Sequence, residues 1–271
     1  MRFSQLFRPV IPAVAAALLL SACSGSGSSG SADTLTVNGD VPLVYAMRAT
    51  TLGQNPTDGT NSAPGGDLMP REKSSPTAVE RNLTTRFTAG VGDASDPEVS
   101  YDGSRVVFAG RCPTANTATV DGTPGGAKAC TGRWNIWEYD MSAAPGGKLN
   151  QGVFRRLTAS TSDDSVDPVY LPANRGVIFA SNRQAKSSRN QALGRAYFAA
   201  DEYERERVLN LHSMAADVAN VQQIAFDQSH DRNPVIRPDG TVMFSRWKHV
   251  ADRNRFAVFK AKPDGTDLFA L

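Results

Sequence analysis

Asp96-Pro97-Glu98-Val99-Ser100-Tyr101-Asp102-Gly103-Ser104-Arg105-Val106-Val107-Phe108 decides the fold, because the chain repeats it. A second copy starts at Asp167-Pro168 and ends at Val177-Ile178-Phe179. A third starts at Asn233-Pro234, runs through Pro238-Asp239-Gly240 and ends at Val242-Met243-Phe244. Phe follows Pro by 11 positions in the first two copies and by 10 in the third. Each copy reads as an extended start, a tight turn and a short apolar strand. Proline fixes its own φ and biases its predecessor towards extended geometry. Asp-Gly supplies the turn, with Gly free to take positive φ. Ala173-Asn174 stands in that place in the second copy, and Asn is the next residue able to take it. β-branched residues and Phe then form the strand.

Polar lead-ins precede all three copies: Asp93-Ala94-Ser95, Asp163-Asp164-Ser165 and Ser229-His230-Asp231. An outer-strand candidate follows each, at 134–139, 208–212 and 256–260. Arg81-Asn82-Leu83-Thr84, Arg156-Leu157-Thr158 and Gln223-Ile224-Ala225 come shortly before a repeat or its boundary. A repeated four-strand unit is the signature of a propeller blade. From residue 82 to the end the chain resembles the TolB-like (WD-type, Asp-Pro…Asp-Gly) β-propeller repeat. That resemblance implies an all-β fold of about three to four blades. The Pro-to-Pro spacings, 71 and 66 residues, exceed the roughly 40–50 of ordinary blades, so the blades carry long insertions. The longest candidate is 184–207, read as a helical or long-loop insertion.

The N-terminus has a different composition. Arg2 and Arg8 precede the apolar run 13–20, which is too short to stay across a bilayer. It ends in Leu20-Ser21-Ala22-Cys23, which resembles the bacterial lipobox. The resemblance implies a signal peptide over 1–22 and lipid on Cys23; Ser24, rather than Asp, then favours the outer membrane. Residues 23–34 make a lipidated Cys and a Gly/Ser tether. Residues 35–81 hold short strand candidates at 35–37, 43–46 and 67–69, the last stopped by Pro70, and read as an irregular segment or partial blade. The propeller repeats fill 82–271.

The chain has 271 residues, 40% of them hydrophobic, enough for one sizeable domain. The formal charge of +2 comes from Arg2 and Arg8; the remainder carries 27 bases and 27 acids. That balance points to no nucleic-acid partner. The expected partners are the membrane, through lipid on Cys23, and an envelope protein or glycan.

Chemistry-bearing motifs are sparse. Cys112 and Cys130 flank a Gly/Thr/Ala/Pro-rich loop; in an exported protein a disulfide is expected, against two free thiols or a metal pair. The segments holding His230, Asp231 and His249 resemble the middle domain of the hydrazine synthase alpha-subunit family. That resemblance makes these three the candidates for a ligand or metal site, against a capping role. The Cys-x-x-Cys-His motif of that family's haem enzymes is absent, as are Gly-x-Ser-x-Gly and His-Glu-x-x-His. No catalytic residue is assigned and no cofactor is expected, save a calcium ion should Asp93, Asp96, Asp163, Asp164, Asp167 and Asp231 form a ring. Trp134, Trp137 and Trp247 read as packing aromatics. Two functions remain open: a non-catalytic binding or scaffold module, or a relative or subunit of a hydrazine-synthase-alpha-like redox enzyme. The chain also reads as stopping inside a blade, which predicts an exposed edge and a truncated or open arc.

Overall fold

The computed structural model describes residues 39–48, 64–113, 130–142, 151–184, 192–193, 207–250 and 253–271. The leader, Cys23, the tether and the strand candidate at 35–37 lie outside them, as does almost all of the 184–207 insertion.

Among the described residues, three four-stranded antiparallel sheets follow one another along the chain. Blade 1 holds β3 (Asp93–Val99), β4 (Arg105–Arg111), β5 (Asn135–Asp140) and β6 (Val153–Arg156). Blade 2 holds β7 (Ser165–Tyr170), β8 (Val177–Ser181), β9 (Asn210–Met214) and β10 (Gln222–Gln223). Blade 3 holds β11 (Asp231–Ile236), β12 (Val242–Val250), β13 (Arg253–Ala261) and β14 (Phe269–Ala270). Ahead of them β1 (Leu43–Met47) pairs with β2 (Asp67–Arg71), and Arg71 bridges to Glu80. The segments 134–139, 208–212 and 256–260 therefore belong to third strands, or lead into them, rather than forming the outermost strand. Pro70 does not stop β2; it pairs with Val44. Its strand lies at the edge of a two-stranded sheet, where a missing N–H is tolerated.

The β1–β2 hairpin occupies the place of two middle strands of a blade. Its hydrogen bonds repeat those of blades 1 and 2: Leu83 N donates to Leu68 O, Leu157 N to Ile136 O, and Ile224 N to Leu211 O.

The turns follow from local chemistry. Gly103 and Gly240 take φ of 72° and 79°, which glycine adopts without a Cβ penalty. Asp102 and Asp239 brace the same turns, each accepting the backbone N–H two residues on at 3.0 Å. In the second copy Ala173 and Asn174 both have positive φ, at 56° and 54°, and Gly176, at 124°, closes the turn by accepting from Leu171 N at 2.8 Å.

The residue before each repeat proline is not extended. Asp96, Asp167 and Asn233 have φ of 53°, 53° and 52°. Each sits where the register of the inner strand shifts: between Ser95 and Glu98, between Val166 and Val169, and between Arg232 and Val235. A bulge adds one residue to one strand of a pair, and Asp and Asn accept the left-handed region better than most residues. The bulge thus overrides the local bias that proline imposes on its predecessor.

Strand alternation sends successive side chains to opposite faces. Phe108 joins Leu68, Leu83, Trp137 and Phe154 in the core between the hairpin and blade 1. The short helix α1 (Thr85–Thr88) inserts Phe87 there, 4.7 Å from Trp137 and edge-on to it. Gly110 is required at this point, because a Cβ would lie 2.6 Å from the Phe87 ring. Val107 and Ile136 face the other way, against Tyr170, Val177 and Phe179 of blade 2. Ile178, Leu209 and Leu211 in turn face Val242, Phe244 and Phe259 of blade 3. Cys112 and Cys130 are bonded, with Cα atoms 5.4 Å apart.

Candidate functional site

The charged residues gather where each inner strand begins and bulges. At each start one residue of the preceding blade is held by two hydrogen bonds. Gly66 O accepts from Ala94 N at 2.9 Å, and Gly66 N donates to Asp93 Oδ1 at 3.1 Å. Trp134 O accepts from Ser165 N at 2.9 Å, and Trp134 N donates to Asp164 Oδ1 at 2.9 Å. Leu209 O accepts from Asp231 N at 2.8 Å, and Leu209 N donates to His230 Nδ1 at 3.0 Å. The lead-in residue of each repeat is thus an acceptor for a backbone N–H across the blade junction. In the third repeat an imidazole replaces the carboxylate, and its Nδ1 must be the unprotonated nitrogen. Such a buried donor left without a partner costs about 1–3 kcal/mol.

Arginines complete these clamps. Arg48 Nη1 lies 3.0 Å from Asp93 Oδ2, and Arg133 Nη1 lies 3.3 Å from Asp164 Oδ2. Arg48 and Arg111 also sit over the Trp134 ring, at 6.0 and 5.2 Å.

One bulge later the carboxyls of Asp96 and Asp167 are neighbours across blades 1 and 2. Burial first, and then the Asp167 charge, push the Asp96 carboxyl up to about 6. Asp167 is held ionised below the ordinary carboxylate range, because Arg232 overcomes the opposing effect of burial. Arg232 donates to it through Nε at 2.5 Å and Nη2 at 3.1 Å, and Asn233 N adds a third bond at 3.0 Å. The pair therefore holds a single negative charge below about pH 6 and gains the second only as pH rises past it, like other carboxyl pairs crowded together.

The six acids proposed as a ring do not share one task. Asp93 and Asp164 hold backbone N–H groups, and Asp96 and Asp167 occupy the bulges. Asp163 accepts from Ser160 Oγ and pairs with Arg207 at 2.9 Å. Asp231 forms two bonds with Arg246, at 2.7 and 3.0 Å, while burial pushes its carboxyl up to about 6. Among the described residues no three His, Cys, Asp or Glu side chains are grouped as a metal ion would require.

The candidate ligands His230 and His249 converge on one side chain. Their rings stack on Trp247 with centroids 5.6 and 5.9 Å away. Asp231 turns aside to Arg246 and does not join them. His212 is buried against Phe179, and its Nδ1 bonds the Asn210 carbonyl at 2.8 Å. Burial pushes its pKa down to about 3, so this imidazole stays neutral. Trp134, Trp137 and Trp247 are all buried.

Sequence reading missed the arginines and Glu138. Glu138 accepts from Tyr170 Oη at 2.9 Å and Arg155 Nη2 at 2.8 Å, with Arg105 at 3.4 Å, and so ties blade 1 to blade 2. Nothing local marks these residues, because their partners lie 15 to 65 positions away. The usable signal was indirect: buried acids require cationic partners.

No family model and no curated protein matches the chain. Among solved structures it is similar to hydrazine synthase from Kuenenia stuttgartiensis, at 16% identity and a TM-score of 0.57. That match covers 86% of this chain and 31% of the other. TolB from Acinetobacter baumannii aligns at 13% identity and a TM-score of 0.44, over 76% of this chain and 37% of that one. The β-propeller domain of the trilobed protease from Pyrococcus furiosus aligns at 7% identity and 0.39, over 76% and 48%. The chain spans about a third of the hydrazine synthase chain it matches, and identities this low bear on fold alone. In fold, this chain is a β-propeller, similar to a portion of hydrazine synthase.

Proposed function

We propose that the chain is an exported, lipid-anchored β-propeller acting as a non-catalytic binding or scaffold module of the cell envelope. One observation carries the reading. The polar residues at the blade junctions are already engaged in holding blades together: Asp93, Asp164 and His230 accept backbone N–H groups, and Asp167 binds Arg232. A catalytic carboxylate or imidazole needs a free lone pair or proton at the reacting centre. Here those atoms face the protein's own backbone and arginines.

The anchoring part rests on the leader and Leu20-Ser21-Ala22-Cys23. Several acyl chains on Cys23 would hold the tethered propeller firmly at the membrane, facing the periplasm or the cell surface; one chain would be marginal. The Cys112–Cys130 bond suits an oxidising compartment. Its surfaces would then engage an envelope protein or a glycan.

The test is a pull-down from solubilised membranes with the lipidated chain as bait, alongside fractionation of a Cys23→Ser form. A specific envelope partner, and release of the serine form to the soluble exported fraction, are expected. A purified chain with a haem absorption spectrum would overturn the non-catalytic reading. A Cys23→Ser form still bound to the membrane would overturn the anchor.

A further inference from the structure

Two of the junctions described above are held by carboxylates and the third by an imidazole. Gly66 N donates to Asp93 and Trp134 N to Asp164, but Leu209 N donates to His230 Nδ1. The three acceptors stand at one position of the repeat. Each precedes the residue whose N–H makes the first backbone bond across the junction: Ala94, Ser165 and Asp231. A carboxylate offers two oxygens, and Asp93 and Asp164 turn the second to Arg48 and Arg133. A neutral imidazole offers one lone pair, and His230 commits it to Leu209 N. A proton on Nδ1 turns that acceptor into a donor facing a donor, and the bond is lost. His230 and Leu209 are 1% and 0% exposed, so solvent does not replace it. A carboxylate ordinarily titrates near about 4 and an imidazole near about 6.5, so the third junction meets its proton first.

The surroundings favour the neutral ring. From β12, Trp247 stacks on it with planes 18° apart, and Trp247 N donates to His230 O at 2.9 Å. β12 also carries Arg246, Lys248 and His249. Arg246 binds Asp231 and reaches Asp227 at 3.5 Å, Lys248 lies over Phe259, and His249 stacks on Trp247. β9 carries His212, whose ring turns to Phe179. The acids on the His230 side, Asp227 and Asp231, are thus committed to Arg246 rather than to an imidazolium. Asp231 also works in the opposite sense. Burial pushes its carboxyl up to about 6, so the folded chain takes up that proton readily as pH falls.

We infer that His230 is an acid-sensitive latch: its neutral imidazole holds blade 3 to blade 2, and protonation on mild acidification releases that junction while the carboxylate junctions stay closed. An imidazole that must be neutral in the folded chain contributes stability that is whole above about pH 6.5 and declines below it. The same two blades border a crevice of about 160 Å³ lined by Leu211, Ile224, Phe226, Val242 and Phe244. Acid therefore loosens the molecule where its apolar interior already opens to the surface. The latch would regulate whichever surface blades 2 and 3 present, and it stands whether or not the chain is anchored at Cys23.

Hydrogen exchange of the full chain between pH 7.5 and 5, corrected for the intrinsic pH dependence, tests it on peptides covering Leu209 and Trp134. Protection of Leu209 N should fall by about tenfold, as for one lost buried hydrogen bond, while that of Trp134 N holds. Nitrogen-15 spectra should show His230 Nδ1 unprotonated at pH 7.5 and both ring nitrogens protonated at pH 5. His230→Asn keeps an acceptor oxygen that does not titrate, and should keep Leu209 protected across the range. Equal losses at Leu209 and Trp134, or a His230 ring still neutral at pH 5, would overturn the inference even where the asparagine form fails to fold. A folded His230→Asn form with the same acid-dependent loss at Leu209 would do so too.

Discussion

Replacing Asp167 separates a structural carboxylate from a ligand-binding one. Asp167 is 4% exposed and accepts two bonds from Arg232 and one from Asn233 N. Asp167→Ala leaves the Arg232 guanidinium beside an apolar methyl. Breaking a fully buried pair costs about 3–5 kcal/mol. The Arg232 side chain keeps 20% exposure, so water recovers part of that loss, and about 2–4 kcal/mol is expected. Alanine must also hold the φ of 53° at the bulge, adding about 1 kcal/mol. Relief of the Asp96 carboxyl beside it offsets a fraction. Asp167→Asn keeps a residue suited to that φ, as Asn233 does in the third repeat, and loses only the charge. It should cost about 1.5–3 kcal/mol. The assay is guanidinium chloride unfolding of the Cys23→Ser form at fixed protein concentration and pH 7.5, with partner capture measured in parallel. The expected order is wild type, then Asn, then Ala, with unchanged slope and partner capture retained wherever the protein is folded. An alanine form within about 1 kcal/mol of wild type would refute the structural role. A fully stable alanine form that loses its partner would identify Asp167 as a binding residue instead.

Asp96 gives a pH prediction of opposite sign to an ordinary ion pair. Its folded pKa of about 6 lies above the ordinary 3.8, so the stability it contributes is full below about 3.8 and is lost as pH rises through 6. Asp96→Asn should flatten the stability profile between pH 4 and 7 and stabilise the protein at pH 7.5; chemical unfolding across that range checks it, and an unchanged profile would contradict it. Removing the Cys112–Cys130 bond as a double alanine variant should cost about 3 kcal/mol for a span of 18 residues. A non-reduced digest should show the linked peptides, and finding both thiols open to alkylation would sink that prediction.

The propeller repeat was legible because its signals are local. Asp-Gly turns, apolar alternation and the recurring Pro-to-Phe interval need only near neighbours in sequence, and all three copies became the first two strands of a blade. The Cys112–Cys130 pairing was legible for the same reason, spanning one loop within one blade. The bulge was not, since the backbone of Asp96, Asp167 and Asn233 is set by the neighbouring strand against the preference that proline imposes. Nor could the task of each acid be read. Asp93, Asp164 and Asp231 look alike in the chain, yet the first two hold a backbone N–H and the third holds Arg246. His230, which resembled a ligand, fills the place of an Asp. Those assignments depend on which polar group the next blade delivers across the junction, and that is decided only when strands distant in sequence pack side by side. The burial of Leu211 belongs to the same class: its place in the core is made by Val242, Phe244 and Phe259 of blade 3 packing over it.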